Sequence, residues 1–264
     1  MKIINAHAHV LKKPINKEIT RVTLKDIIKD MDEAGVEKSV LFSGFMLGNE
    51  YSLKELVDLI KGDKRFVIAS GINLDEDISN QLKETEEYIK KGLVKALKIY
   101  LGYQYYYPYD EKLKDIYKLC MKYDLPVIFH TGDTLFSTGK IKYSHPINID
   151  EVAVENPKLK IIIAHLGNPW FLDTAELIYK NKNVYADLSG LFFDINDTEY
   201  IEFLKNKIKE VIAYSQEKAS KLLFGTDFPL INAKDYIRFI KNLNLDKELE
   251  EKIFYKNAEN LFKL

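Results

Sequence analysis

Eight short runs of β-branched and apolar residues punctuate the chain: Ile3 to His9, Ser39 to Phe42, Phe66 to Ile72, Ala96 to Leu101, Val127 to His130, Ile161 to His165, Val184 to Leu188 and Leu222 to Asp227. Several are apolar at consecutive positions, as burial on both faces of a parallel sheet requires. Between the runs, apolar residues recur at helical spacing with charged residues on the other face, as in Leu24-Ile27-Ile28-Met31, Leu53-Leu56-Val57-Ile60 and Leu113-Ile116-Tyr117-Cys120. Eight strand-helix units of about 30 residues predict an α/β fold of the (β/α)8 TIM-barrel type. A dinucleotide-binding alternative lacks its Gly-x-Gly-x-x-Gly loop after the first strand.

At 264 residues, with no low-complexity linker or abrupt change of composition, the chain is expected to form one barrel domain over 1–264. Its 46% apolar and 30% charged residues exclude a disordered or collagen-like chain. Thirty-nine basic and forty acidic side chains nearly cancel, and only three of the basic ones are Arg, which argues against a nucleic-acid partner. No run of about 18 apolar residues and no N-terminal signal core is present, so no membrane partner and a cytoplasmic location are expected. The lone Cys120 lies in an apolar helical stretch and is expected to be core. A homo-oligomer is left open.

Histidine is scarce, and four of the five fall at or beside the carboxyl end of a run: His7 and His9 in the first, His130 in the fifth and His165 in the sixth. Barrel enzymes build their sites at that end of the strands. Two residues apart on a strand, His7 and His9 point to one side and form a chelating pair. With Asp227 closing the eighth run, imidazoles and one carboxylate make a nitrogen/oxygen set suited to zinc or a similar divalent ion.

These residues resemble the amidohydrolase superfamily, in particular its amidohydrolase-2 group, which also contains zinc-dependent decarboxylases. The resemblance spans the chain. It rests on Asn5-Ala6-His7-Ala8-His9, Lys98 on the fourth strand, His130 in His-Thr-Gly, His165 in Ala-His-Leu-Gly-Asn-Pro-Trp, and Gly225-Thr226-Asp227-Phe228-Pro229. It implies that His7, His9, His130 and Asp227 hold one divalent metal, most simply one zinc per chain, with His165 standing over it as a catalytic group. Asp227 would be both ligand and proton acceptor. Two-metal members bridge their ions through a carboxylated lysine on strand four, so Lys98 has two readings, bridge or substrate-anion contact, and the second is favoured here.

Substrate contacts are expected from Lys98, Tyr103, Asp133, His145, Asn168 and Trp170, on or beside the same strand ends, with Thr134 and the tyrosines at 105, 106, 107 and 109 as further lining. Asp187 is read as a hydrogen-bond partner of a ligand histidine or a strand cap. The leading functional expectation is a metal-dependent hydrolase that cleaves a C–N or ester bond of a small molecule with a metal-activated water. The alternative is a zinc-dependent non-oxidative decarboxylase of an aromatic or unsaturated carboxylic acid. A non-catalytic metal-binding barrel is a third reading. A deoxyribonuclease-like reading expects a bridging Glu where Lys98 stands.

Overall fold

The computed structural model describes residues 1–14, 22–44 and 49–264, and only the backbone at 217–219. Its eight parallel strands are β1 (Ile4–Ala8), β2 (Lys38–Phe42), β3 (Phe66–Gly71), β4 (Val94–Ile99), β5 (Val127–Phe129), β6 (Ile161–Ile163), β7 (Val184–Asp187) and β8 (Leu222–Leu223), hydrogen-bonded in chain order. The barrel closes just beyond β8, where Ala6 N donates to Phe224 O (2.9 Å), Asp227 N to His7 O (2.9 Å) and His9 N to Phe228 O (2.7 Å). The chain is a single (β/α)8 barrel.

Every predicted run supplies a strand, and all but the second end one to four residues short of the run. The sixth and eighth were expected to reach His165 and Asp227. They leave the ladder after Ile163 and Leu223, and His165, Leu166 and Asp227 take positive φ (58°, 49° and 58°), which a strand cannot contain. The fifth stops at Phe129, one residue before His130.

The helices are α1 (Leu24–Ala34), α2 (Leu53–Ile60), α3 (Ile78–Lys90), α4 (Lys114–Tyr123), α5 (Ile141–Ser144), α6 (Ile149–Glu155), α7 (Phe171–Lys180), α8 (Thr198–Ser215), α9 (Ala233–Lys241), α10 (Lys247–Glu251) and α11 (Asn257–Phe262). The predicted stripes face inward: Ile27 and Met31 of α1, Leu53, Leu56 and Ile60 of α2, and Ile116, Tyr117 and Cys120 of α4 are buried. One apolar layer lies between sheet and helices. A second fills the barrel with Ile4, Ala6, Val40, Phe42, Val67, Ala69, Ala96, Ile128, Ile162 and Leu223, and Ala258, Leu261 and Phe262 of α11 join it. Burial pushes the Cys120 thiol well up, as expected of a core cysteine. No helix among the described residues is long and apolar enough to cross a membrane.

One carboxylate joins α1 to α9. Asp30 Oδ1 accepts from Ala233 N (2.9 Å) at the first turn of α9, while its buried Oδ2 has no partner among the described residues. Burial raises this carboxyl from 3.8 to about 6. The folded chain therefore binds the extra proton between those values, and stability rises as pH falls from 7 towards 4. Asp30→Asn keeps the acceptor for Ala233 and removes the charge. It should stabilise the protein by about 1 kcal/mol at pH 7.5, discounted for the partial exposure of the site, and by little at pH 4.5. Urea unfolding of both proteins at the two pH values measures the difference. Equal gains at both would refute the assignment.

Candidate active site

On β1, Ile4 and Ala6 belong to the barrel interior, but Ala8 packs in the outer layer, and the register with β2 shifts between Asn5 and Ala8. This bulge turns the alternate residues His7 and His9 towards the barrel mouth. Asn5 secures the turn opposite, where its Nδ2 donates to Thr226 Oγ1 (2.8 Å) and its Oδ1 accepts from Thr226 N (3.1 Å). On β4, Lys98 shares the inward side with Ala96, so the ammonium rises from the core into the mouth.

The result is a cavity of about 110 Å³ at the barrel mouth. His7, His9, Lys98, His130, His165 and Asp227 line it, with Glu50, Tyr100, Tyr103 and an apolar rim that includes Leu11, Leu135, Phe136 and Leu230. Asp227 Oδ1 lies 3.2 Å from His9 Nε2 and 3.5 Å from His7 Nε2, and these three residues offer atoms that all lie within 4.8 Å of one another. A second such group, His7, His165 and Asp187, is engaged with itself: Asp187 Oδ2 accepts from His7 Nδ1 (2.9 Å), and Asp187 Oδ1 accepts from His165 N and Ser189 N (3.0 Å each). With Nδ1 donating, His7 keeps a lone pair on Nε2, so the donor set at His7, His9 and Asp227 fits a divalent ion.

Burial holds His7 down to about 3 and His130 well below the usual imidazole range, so both rings are neutral ligand-type groups. Burial acts against the carboxylates of Asp187 and Asp227, but the facing imidazoles outweigh it, and both stay below the usual range. Lys98 is 1% exposed. Burial lowers its ammonium to about 8 against the pull of Asp187 and Asp227, so it is cationic at neutral pH. It lies over the rings of Phe42 (5.0 Å) and Tyr100 (5.5 Å), and its Nζ has no hydrogen-bond partner among the described residues.

His130 lines the cavity but stands outside the His7, His9 and Asp227 group, because its Nε2 is 3.0 Å from Asp133 O and donates to it. Tyr103 tilts against His130 with ring centroids 4.6 Å apart, and its hydroxyl oxygen accepts from Leu135 N (2.8 Å). Four expected substrate contacts do not line the cavity. Asp133 is exposed and meets the site through its carbonyl. His145 begins a short turn, its Nδ1 accepting from Ile147 N, and packs on Trp170 at 4.3 Å. Asn168 is buried and holds Asp133 N by its carbonyl (2.8 Å). Of the tyrosine run, Tyr105 and Tyr107 pack on Tyr143, and Tyr109 stacks on Tyr107, away from the cavity.

Sequence reasoning missed Tyr100, Glu50, Ser189 and Gly190. Tyr100 was legible, since it lies two residues beyond Lys98. Glu50, in the loop after β2, and Ser189, just past β7, carry no local signal. Gly190 has φ +63°, and a Cβ there would lie 2.8 Å from His165 Nδ1 and 2.9 Å from Asp227 Oδ2.

Gly190→Ala should therefore keep the barrel's circular dichroism but weaken zinc binding about 10- to 100-fold by displacing both side chains. Gly92→Ala, at φ +77° in open space, carries the same backbone strain without the crowding and should keep its zinc affinity. Zinc titration of both separates the effects. Equal losses would mean strain alone matters.

A family model described as amidohydrolase matches residues 4–264. The gamma-resorcylate decarboxylase of Polaromonas sp. (strain JS666 / ATCC BAA-500) is 24% identical over 195 residues, which are 64% of this chain and 58% of that protein, so the chain spans little more than half of that relative. An amidohydrolase from Burkholderia multivorans, solved with bound zinc, superposes with a TM-score of 0.77 at 12% identity over 100% of both chains. The 2,6-dihydroxybenzoate decarboxylase from Rhizobium gives 0.72 at 15% identity, over 100% of this chain and 99% of that one. At these identities the structural likeness is one of fold. The family match runs from the first strand to the last residue, over a barrel whose mouth gathers four histidines and Asp227, and the chain belongs to the amidohydrolase-2 family.

Proposed function

We propose that this protein is a metal-dependent lyase that removes CO2 from a small carboxylic acid. The observation that carries the reading is the Lys98 ammonium, buried and without a hydrogen-bond partner among the described residues, in a cavity with an apolar rim. A buried cation without a partner is costly, and a substrate carboxylate supplies the missing one. A neutral amide or lactone would leave it unpaired. The decarboxylase relative and the decarboxylases of the same fold support this choice over the hydrolase expected first.

His7, His9 and Asp227 would hold one divalent ion, zinc fitting the donor types, with His130 beside that group on the cavity wall. When bound, such an ion supplies Lewis acidity towards substrate oxygens. The chain's own residues do the rest. Lys98 and the ring of Tyr100 seat the substrate, and the apolar rim strips water from its carboxylate. The bond to that carboxyl carbon breaks, its electron pair stays on the carbon left behind, and CO2 departs. His165, on the cavity wall, is the group assigned to move the proton that this carbon takes up.

Elemental analysis of chelator-free protein should give about one divalent equivalent per chain. Aromatic and unsaturated carboxylic acids, assayed for CO2 release beside neutral amides and lactones, should be the substrates. Lys98→Met should then raise KM about 10- to 100-fold, the worth of a charged hydrogen bond. Hydrolysis of a neutral substrate unaffected by Lys98→Met would overturn the reading. So would two equivalents of metal with a carboxylated Lys98.

His165→Asn keeps a polar side chain that cannot carry a proton. It should retain the metal and lose about 10²- to 10⁴-fold in kcat. Metal loss in proportion to activity would make His165 a ligand instead.

A further inference from the structure

We infer that the turn Asp187-Leu188-Ser189 after β7 sets the tautomer of two imidazoles at once, placing the hydrogen of the neutral ring on Nδ1 in both His7 and His165. The argument is a count of donors and acceptors. Asp187 is an acceptor-only carboxylate, and Ser189 Oγ lies 2.5 Å from its Oδ1, so the one hydroxyl proton is spent there. Ser189 Oγ can then only accept. His7 Nδ1 faces Asp187 Oδ2 at 2.9 Å and Ser189 Oγ at 3.0 Å; His165 Nδ1 faces Ser189 O at 3.1 Å and Ser189 Oγ at 3.0 Å. Every neighbour of either Nδ1 is an acceptor, so each Nδ1 carries a hydrogen.

For His7 this is the tautomer a metal ligand needs. For His165 the same tautomer, when the ring is neutral, turns Nδ1–H towards Ser189 and leaves Nε2 as the acceptor. Asp187 and Ser189 are thus positioning residues, acting through the histidines. The inference rests on the proposed metal centre only where it concerns the role of His7, and its test is read without metal or substrate.

Long-range 1H–15N correlation spectra of uniformly 15N-labelled, metal-free protein report the tautomer of each neutral imidazole, and His7→Asn and His165→Asn assign the two rings by loss of signal. Both should show a protonated Nδ1 and a bare Nε2. A neutral His165 with its hydrogen on Nε2 and a bare Nδ1 would overturn the inference whatever reaction the enzyme performs. Asp187→Asn places an amide donor against His7 Nδ1 and should invert that ring alone, since the Ser189 carbonyl still faces His165, with a 10- to 100-fold loss of zinc affinity. A folded variant with His7 unchanged would remove Asp187 from the role. Should the variant not fold, the wild-type spectrum alone decides.

Discussion

The Asp187 carboxylate, fully enclosed behind the barrel mouth, accepts hydrogen bonds from three different parts of the chain: the His7 ring of β1, the His165 backbone after β6 and Ser189 after its own strand. Bonds to a buried anion are the strong ones, and each of these fixes an element the site needs. The bond from His165 N holds that residue at positive φ, where a non-glycine side chain is strained. Across the mouth, Asp227 is likewise at positive φ, held by its own N–H on the His7 carbonyl. The first, sixth and eighth strand ends are thereby locked together around one point.

Charge follows from that arrangement. A buried carboxylate, Asp187, and a partly exposed one, Asp227, sit near one buried ammonium, Lys98, with imidazoles beside them. Asp187 is satisfied by the protein; the nearby His7 and His9 nitrogens leave Asp227 shared with a ligand set, and Lys98 is satisfied by nothing in the described chain. On the proposed function, a cation and an anion from outside would complete the balance: a metal ion at Asp227 and a substrate carboxylate at Lys98. Recognition of the substrate and stability of the empty site are therefore opposed, as expected where a binding surface keeps polar groups unpaired.

The barrel was legible because parallel strands buried on both faces leave continuous apolar runs, and because each run was followed by a helical stripe whose buried positions the fold confirms at Ile27, Leu56 and Ile116. The ends of β6 and β8 were not, since their last residues leave the ladder for left-handed turns that propensity cannot foresee. In the site, His7, His9, Lys98, Tyr103, His130, His165 and Asp227 converge on one cavity as the strand-end argument required. What failed was the step from strand end to loop. Asp133, His145, Asn168 and Trp170 follow the right strands, yet their loops use them for turn and packing contacts. The bulge that turns His7 and His9 inward, and the Ser189 hydroxyl, depend on register and on contacts 24 or more residues away along the chain, which no local pattern encodes.

The central claim is that Asp227, His7 and His9 hold a single ion while Lys98 stays a free ammonium for the substrate. Anomalous diffraction at the zinc edge, on crystals of the zinc-loaded protein, tests it most directly. The account predicts one peak, about 2.0–2.2 Å from the Nε2 atoms of His7 and His9 and from an Asp227 oxygen, with no density added to Lys98. Two peaks bridged through Lys98, or a peak held by Asp187, would contradict it.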